Sequence, residues 1–303
     1  MAVIGTGNHP KAQWPGILTW FGRQYNKHPK ECEFLFDYRK SSKSREEISE
    51  VTGFSIPANK TEGGRTTYDT ETQGKTAIAL HSAYSLGFIT TREELDDNLY
   101  PVVGKQRSTA LAFSMHTGRE IVAANVYNRA GNTAFDYGDS GVSLLSTSHS
   151  TANGSQSNTL AVAADLSEAS LEDLLIQIGN AKNSRGLQIA VMPKCLIVPV
   201  NESFNATRIL ESQLRVGTAN NDVNAIKQMG AIPEGVKVSH YITDTDAFFI
   251  RTNVPDGMVG LNRVALELTR DNDFDTDNAK TKAYERFSHV VGDFRALYGS
   301  MGG

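Results

Sequence analysis

Cysteine is nearly absent. The 303-residue chain has two, Cys32 and Cys195, far apart and without a Cys-x-x-Cys companion. A disulfide framework and a cysteine zinc site are thereby set aside, and such sparing use fits a reducing compartment. No run approaches the roughly 20 continuous apolar residues of a membrane span. The opening MAVIGTGNHPKAQWPG lacks the basic-then-apolar order of a secretory signal. Excess positive charge is missing too: the formal net charge is −4, whereas a dedicated nucleic-acid-binding domain is normally strongly basic. The charge is uneven, however. Residues 1–45 carry eight Lys/Arg against three acids, a net +5, which leaves −9 for the remainder.

Catalytic constellations are also wanting. Gly138-Asp139-Ser140-Gly141 spells the nucleophile motif of chymotrypsin-like proteases. That chemistry needs a histidine base and an orienting carboxylate, in the order His, Asp, Ser. The histidines ahead of Ser140 are His9, His28, His81 and His116, none in an Ala-Ala-His-Cys context, and Val142 stands where the protease pattern continues with glycine. The spacing fails the Gly-x-Ser-x-Gly elbow as well. A tight turn is the expectation for this tetrapeptide. The acidic run DNDFDTDN (271–278) suggests half a calcium loop, but counting from Asp271 gives Thr276 and Lys282 at the positions that need glycine and glutamate. In VIGTGNHP, Pro10 replaces the third glycine of a dinucleotide fingerprint. No catalytic, cofactor-binding or metal-ligating residue is expected.

What is present is an ordinary globular composition, 39% apolar and 21% charged. Residues 1–50 mix aromatic side chains (Trp14, Trp20, Phe21, Tyr25) with basic ones and sustain no period. They read as an arm lying on the body or on another subunit, because large aromatics need a partner surface. From Gly53 to about Thr90 the text turns threonine-rich around Gly63-Gly64, predicting a long two-stranded ribbon with few core residues of its own. Such a ribbon is marginal alone and needs outside support. Residues 92–130 are the clearest helical stretch. There Leu111, Met115, Gly118, Val122 and Val126 share a face, Pro101 interrupts and Gly131 terminates. DLSEASLEDLLIQIGNAK predicts a capped helix with Leu171, Leu174, Leu175 and Ile178 inward. CLIVPV (195–200) predicts a buried strand, and ESFNATRILESQLR a helix with Phe204, Thr207, Leu210 and Leu214 on one stripe. Strands follow at VKVSHY, DAFFIRT, VALELTR and 284–291, with NVPDG as a turn. The chain is therefore expected to be mixed α+β.

Taken in order, several segments form a resemblance: GNHPKAQWPGILTWFGRQY, YDTETQGKTAIALHSAYSLGFITTREELDDNLY, EIVAANVYNRAG, GDSGVSLLSTSHS, LSEASLEDLLIQI, RGLQIAVMPKCLIVPVNESFNATRIL, RVGTANNDVNAIKQMG and DNDFDTDNAKTKAYERFSHVVGDFRALYGS. This succession resembles the major head (capsid) proteins of tailed bacteriophages, the Mu-like major head subunit group in particular, over essentially the whole chain. The resemblance implies the Hong Kong 97-type capsid fold. Residues 1–50 would be its N-terminal arm, 51–90 the extended β-hairpin loop over a neighbouring subunit, and 91–144 peripheral domain with the spine helix. Residues 145–255 would be the axial domain and 256–303 the closing strands of the peripheral domain.

It further implies a structural, non-enzymatic protein without cofactor, metal or membrane partner. Copies would assemble in the bacterial host cytoplasm into hexamers and pentamers of an icosahedral virion head around double-stranded DNA, with portal, scaffold or decoration proteins as partners. A fused scaffolding segment is not expected, since no long charged helical extension precedes the arm. Trp14, Trp20, Lys60, Arg65 and Lys75 are the inter-subunit contact candidates. Lys60 or Lys75 is the candidate donor for the Lys–Asn crosslink known in some such shells. The basic arm, with Arg39, Lys40 and Lys43, would face either DNA or a neighbour's acids. The alternatives are an encapsulin-type compartment of the same fold and, in another class, a serine hydrolase using Ser140.

Overall fold

Two stretches, Cys195–Val198 and Phe248–Ile250, are apolar at successive positions and fully buried. A strand tolerates that only when both faces of its sheet are covered. The computed structural model, which describes residues 10–96, 100–135, 141–214, 222–273 and 278–303, meets that requirement. In chain order it runs α1 (Pro10–Tyr25), α2 (Cys32–Leu35), β1 (Asp37–Lys40), β2 (Arg45–Val51), β3 (Gln73–Leu80), β4 (Ser82–Thr90), α3 (Arg92–Asp96) and α4 (Tyr100–Asn128). Next come β5 (His149–Thr151), β6 (Gly154–Gln156), α5 (Glu168–Gly179), β7 (Pro193–Pro199), α6 (Ser203–Glu211), α7 (Ala225–Met229), β8 (Val236–Ser239) and β9 (Phe248–Thr252). The chain closes with β10 (Met258–Asn272), β11 (Ala279–Val291) and β12 (Leu297–Ser300).

One four-stranded sheet has the order β12-β9-β7-β8. On one face Leu196, Val198, Phe248, Ile250 and Tyr298 pack under α5, α6 and α7. On the other, Cys195, Ile197, Phe249 and Leu297 meet Ala123, Ala124 and Tyr127 of α4 and the turn around Leu35. Side chains alternate across a strand, so one uninterrupted apolar run serves two cores. Arg251 is almost wholly buried in this sheet; it pairs with Asp37 and donates to the Phe34 carbonyl at 3.1 Å, binding the sheet to the arm.

The second sheet has the order β1-β10-β11-β4, with β10 and β11 as its long antiparallel centre. One face packs on α1 and α4 through Phe21, Leu111, Met115 and Ala283. Part of the other face, Val259, Leu261 and Val290, receives Ala77 and Ala79 of β3.

Local signals account for several ends. Ser167 caps α5: its hydroxyl accepts from the Ser170 amide, while the Ser170 hydroxyl accepts from the Ser167 amide. α4 has 29 residues, about 43 Å at 1.5 Å per residue. Its buried face departs from the expected one. Leu111 and Met115 are buried, but the stripe continues through Ala112, His116, Glu120, Ala123, Ala124 and Tyr127, while Gly118 is exposed. Polar groups occupy the inward positions, so the apolar period misplaces the face. The region 10–25, part of the expected arm and without a sustained period, is the helix α1. The ribbon also differs from expectation. Its first strand lies before Gly53, β2 pairs with β3, residues 52–72 join them without regular structure, and β4 belongs to the large sheet.

Candidate assembly surfaces

The root of the ribbon is seated within the subunit. Ala77 and Ala79 turn inward onto Val259, Leu261 and Val290, whereas Ile78 and Leu80 face outward and are exposed. Beyond this root nothing apolar is covered. Phe54, Ile56 and Tyr68 are 60%, 73% and 92% exposed. Stranded apolar side chains in one loop form a surface that burial against a partner would stabilise.

The candidates on this element divide. Lys60 and Arg65 lie exposed in the 52–72 loop. Lys75 is half-buried at the ribbon root, its ammonium 5.7 Å from the centroid of the chain's own Phe294 ring. A contact that spacing did not suggest comes from Arg185, in the turn Asn183-Ser184-Arg185-Gly186, which reaches both legs of the loop. The turn composition was its only trace in the sequence.

The arm packs on its own subunit through Phe21 and Tyr25, while Trp20 is half-buried and the side chain of Trp14 lies outside the described residues. Four of its basic residues find acids in the same chain: Lys30 pairs with Glu33 at 3.6 Å, Arg39 with Asp256, Lys43 with Glu46 at 3.5 Å, and Arg45 with Glu47 at 2.8 Å. Lys40 is exposed. Between arm and α4 lies a cleft of about 680 Å³. At its floor Arg119 lies 3.2 Å from Glu285 and donates to Asn262 Oδ1 at 2.5 Å, with the Tyr38 ring centroid 4.8 Å away. Burial raises the carboxyl pKa of Glu285, and Arg119 opposes that shift. Burial likewise raises Glu120, which accepts from the Cys32 amide at 2.6 Å. These interlocked groups act as internal supports for the arm.

On the opposite lobe, the stripe expected on α6 is corrected. Ala206 and Ile209 face the core, whereas Phe204 is 76% exposed. Met229 of the neighbouring α7 is 80% exposed. The helix turns Ala206, Ile209 and Leu210 to the core, so its apolar face lies to one side of the expected stripe and leaves Phe204 outside it.

Gly138, Asp139 and Ser140 fall outside the described residues, as does the centre of the acidic run and the segment VIGTGNH. Gly141, which follows Ser140, has φ +78, a turn conformation. At the edges of the acidic run, the Asp273 amide donates to the Asn278 carbonyl at 2.9 Å, and Lys280 pairs with Asp273 at 2.6 Å. Among the described residues no group of His, Cys, Asp and Glu could hold a metal ion, and no described helix is long and apolar enough to cross a membrane.

A family model described as phage capsid protein matches residues 75–300. No curated protein sequence matches the chain. The fold is similar to the capsid of the native GTA particle, computed with C5 symmetry, at 11% identity and TM-score 0.56, with 90% of each chain covered. It is similar to the capsid of Myoviridae phage XM1 at 12% identity and TM-score 0.51, covering 89% of this chain and 90% of that one. It is also similar to the holo-SrpI encapsulin complex from Synechococcus elongatus at 12% identity and TM-score 0.52, covering 90% and 87%.

Proposed function

Since the chain belongs to the phage capsid protein family, we propose that its copies close as hexamers and pentamers into an icosahedral head around double-stranded DNA. The protein is a structural capsid subunit with the Hong Kong 97-type fold. Within that family, the order of sequence motifs supports a place in the Mu-like major head group. The observation that carries assembly is the loop 52–72, with Phe54, Ile56 and Tyr68 left exposed on a ribbon whose root is firmly seated. Covering those side chains with a second copy supplies the missing apolar burial, and many repeated weak contacts add up through avidity.

In this reading 1–50 is the arm, 51–90 the extended loop, 91–144 and 256–303 the peripheral domain, and 145–255 the axial domain. Trp14, Trp20, Lys60, Arg65 and Lys75 contribute the inter-subunit contacts. Of the crosslink donors, Lys60 fits better than Lys75, because its exposed loop can approach a neighbour. The arm's ion pairs within its own chain favour a structural role for Arg39 and Lys43 over contact with DNA. Portal, scaffold and decoration proteins would complete the particle, formed in the host cytoplasm.

Negative-stain electron microscopy of the purified full chain tests the proposal. Closed shells are the expected result, and a monodisperse monomer in every assembly buffer would overturn it. The likeness to an encapsulin supports a second reading, a protein-packaging compartment. Particles purified from infected cells would then hold a cargo enzyme in place of DNA. Labelling by a serine-hydrolase reagent, abolished by Ser140→Ala, would instead establish an enzyme.

A further inference from the structure

Two legs leave the ribbon root, one through Thr52 and the other returning through Thr72, whose hydroxyls meet at 3.2 Å. Farther out the legs are joined by a single side chain from another part of the molecule. Arg185 donates to Ser55 Oγ on the outgoing leg at 3.3 Å and to the carbonyl of Thr70 on the returning leg. Its guanidinium lies 3.7 Å from Asp69. The Asp69 carboxylate completes the junction by accepting from the amides of Ser55 at 2.7 Å and Thr70 at 2.8 Å. Those amide bonds lower the Asp69 carboxyl pKa to about 2.

The turn that carries Arg185 is itself firmly built. Asn183 Oδ1 accepts from the amides of Arg185 at 3.0 Å and Leu187 at 2.8 Å. Gly186 takes φ +83, where a side chain would be strained, and a Cβ there would displace the Asn153 side chain, 1.9 Å away at Nδ2. Next to Arg185, the Ser184 hydroxyl donates to Glu50 at the end of β2. Among the described residues, Arg185 supplies every polar contact between residues 53–71 and the chain outside the ribbon. No apolar side chain of the loop assists: Phe54, Ile56 and Tyr68 are exposed.

We propose that Arg185 is a clasp that closes the neck of the ribbon and holds its loop to the subunit before a neighbour is met. A guanidinium suits this position because its fork can engage a carbonyl, a hydroxyl and a carboxylate at once. The clasp is partly solvated, so it is weak and screened by salt. It can therefore position the loop without committing it. Opening the clasp frees about twenty residues that have no other polar attachment to the body, and the ribbon becomes free to follow a neighbouring copy.

Lys60 and Arg65 lie in the held loop and are trypsin sites, which makes the clasp measurable on the dispersed full-length subunit. Cleavage after these two residues, identified by fragment mass, tracks the open population when reclosing is fast. Arg185→Ala is expected to accelerate it about fivefold with an unchanged melting temperature. Asp69→Asn, a change confined to the exposed loop, is expected to accelerate it too, and 0.5 M salt should bring the wild-type rate towards the variants' rates. Equal cleavage of Asp69→Asn and wild type at low salt would overturn the proposal, even if Arg185→Ala fails to fold. Because the assay reads free subunits, failure of the wild type to form shells would sink the capsid reading and leave the clasp standing.

Discussion

Glu50, at the outer end of β2, lies 3.5 Å from the guanidinium of Arg295, which is nearly wholly buried beside β12. Arg295 also holds both oxygens of Asp293 at 3.1 Å and donates to the Lys182 carbonyl at 2.7 Å. The ribbon root and the end of the chain thus share one cation. Removing that cation strands two carboxylates, so Arg295→Met is expected to cost about 3–5 kcal/mol. Glu50→Gln leaves the Arg295–Asp293 pair intact and should cost less than about 1 kcal/mol. Urea unfolding of the dispersed subunit separates the two outcomes.

His289 supplies a pH dependence. Its Nε2 is 2.7 Å from the Tyr38 hydroxyl, and burial, aided by Arg119, lowers its pKa from 6.5 to about 3. The folded state therefore binds fewer protons than the unfolded chain between these values. Stability from this group is complete above about pH 6.5 and is lost as the pH falls toward 3, by at most about 1.4 kcal/mol per pH unit. His289→Gln is expected to flatten the acid limb of a stability-versus-pH curve. An identical limb in the variant would assign the effect elsewhere.

Asn158 is a buried hub. Its amide nitrogen donates to the carbonyls of Leu144 at 2.7 Å and Leu297 at 2.9 Å, and its oxygen accepts from the Ser146 amide at 2.9 Å. Asn158→Asp keeps the shape but turns an acceptor toward two carbonyls. The expected loss is at least about 3 kcal/mol, larger than for Asn158→Ala, which removes the group altogether. Thermal unfolding of the two variants side by side gives the comparison.

Lys60 and Arg65 sit on the exposed loop and touch little of their own subunit. Reversing both charges, with Lys60→Glu and Arg65→Glu, should leave the stability of the free subunit within about 0.5 kcal/mol. Because a small loss per contact is multiplied around a closed shell, particle yield should fall about tenfold or more. Light scattering during assembly reads that yield, and unchanged yield would remove these residues from the interface.

The sequence made some parts of this fold legible and disguised others. α5 was readable because Ser167 supplies a cap and Leu171, Leu174 and Ile178 repeat at helical spacing. β7 was readable because the short apolar run Cys195–Val198, closed by Pro199, fits a strand covered on both faces. The face of α4 was displaced because Ser108, His116 and Glu120 point inward, and polar residues carry no hydrophobic period. On α6, Phe204 invited an inward assignment that only tertiary packing could overturn. The ribbon's strand limits were hidden because β2 lies in a charged stretch, Arg45–Val51, whose pairing with β3 is nonlocal. Arg185 left no signal beyond the composition of its turn, because its partners are more than a hundred positions away. Exposure in the loop was also readable: Lys60 and Arg65 are exposed in a polar, glycine-containing stretch, while Lys75 is half-buried with its ammonium near the Phe294 ring, which nothing in the sequence indicated.

The two sulfhydryls are both sealed in the interior, Cys32 at the start of α2 and Cys195 in β7, and burial lifts each thiol to about pKa 11. Neither will compete for a maleimide at neutral pH. A cysteine introduced at Thr67 would then be a unique attachment point for a dye, a spin label or a displayed peptide, without first mutating the native pair.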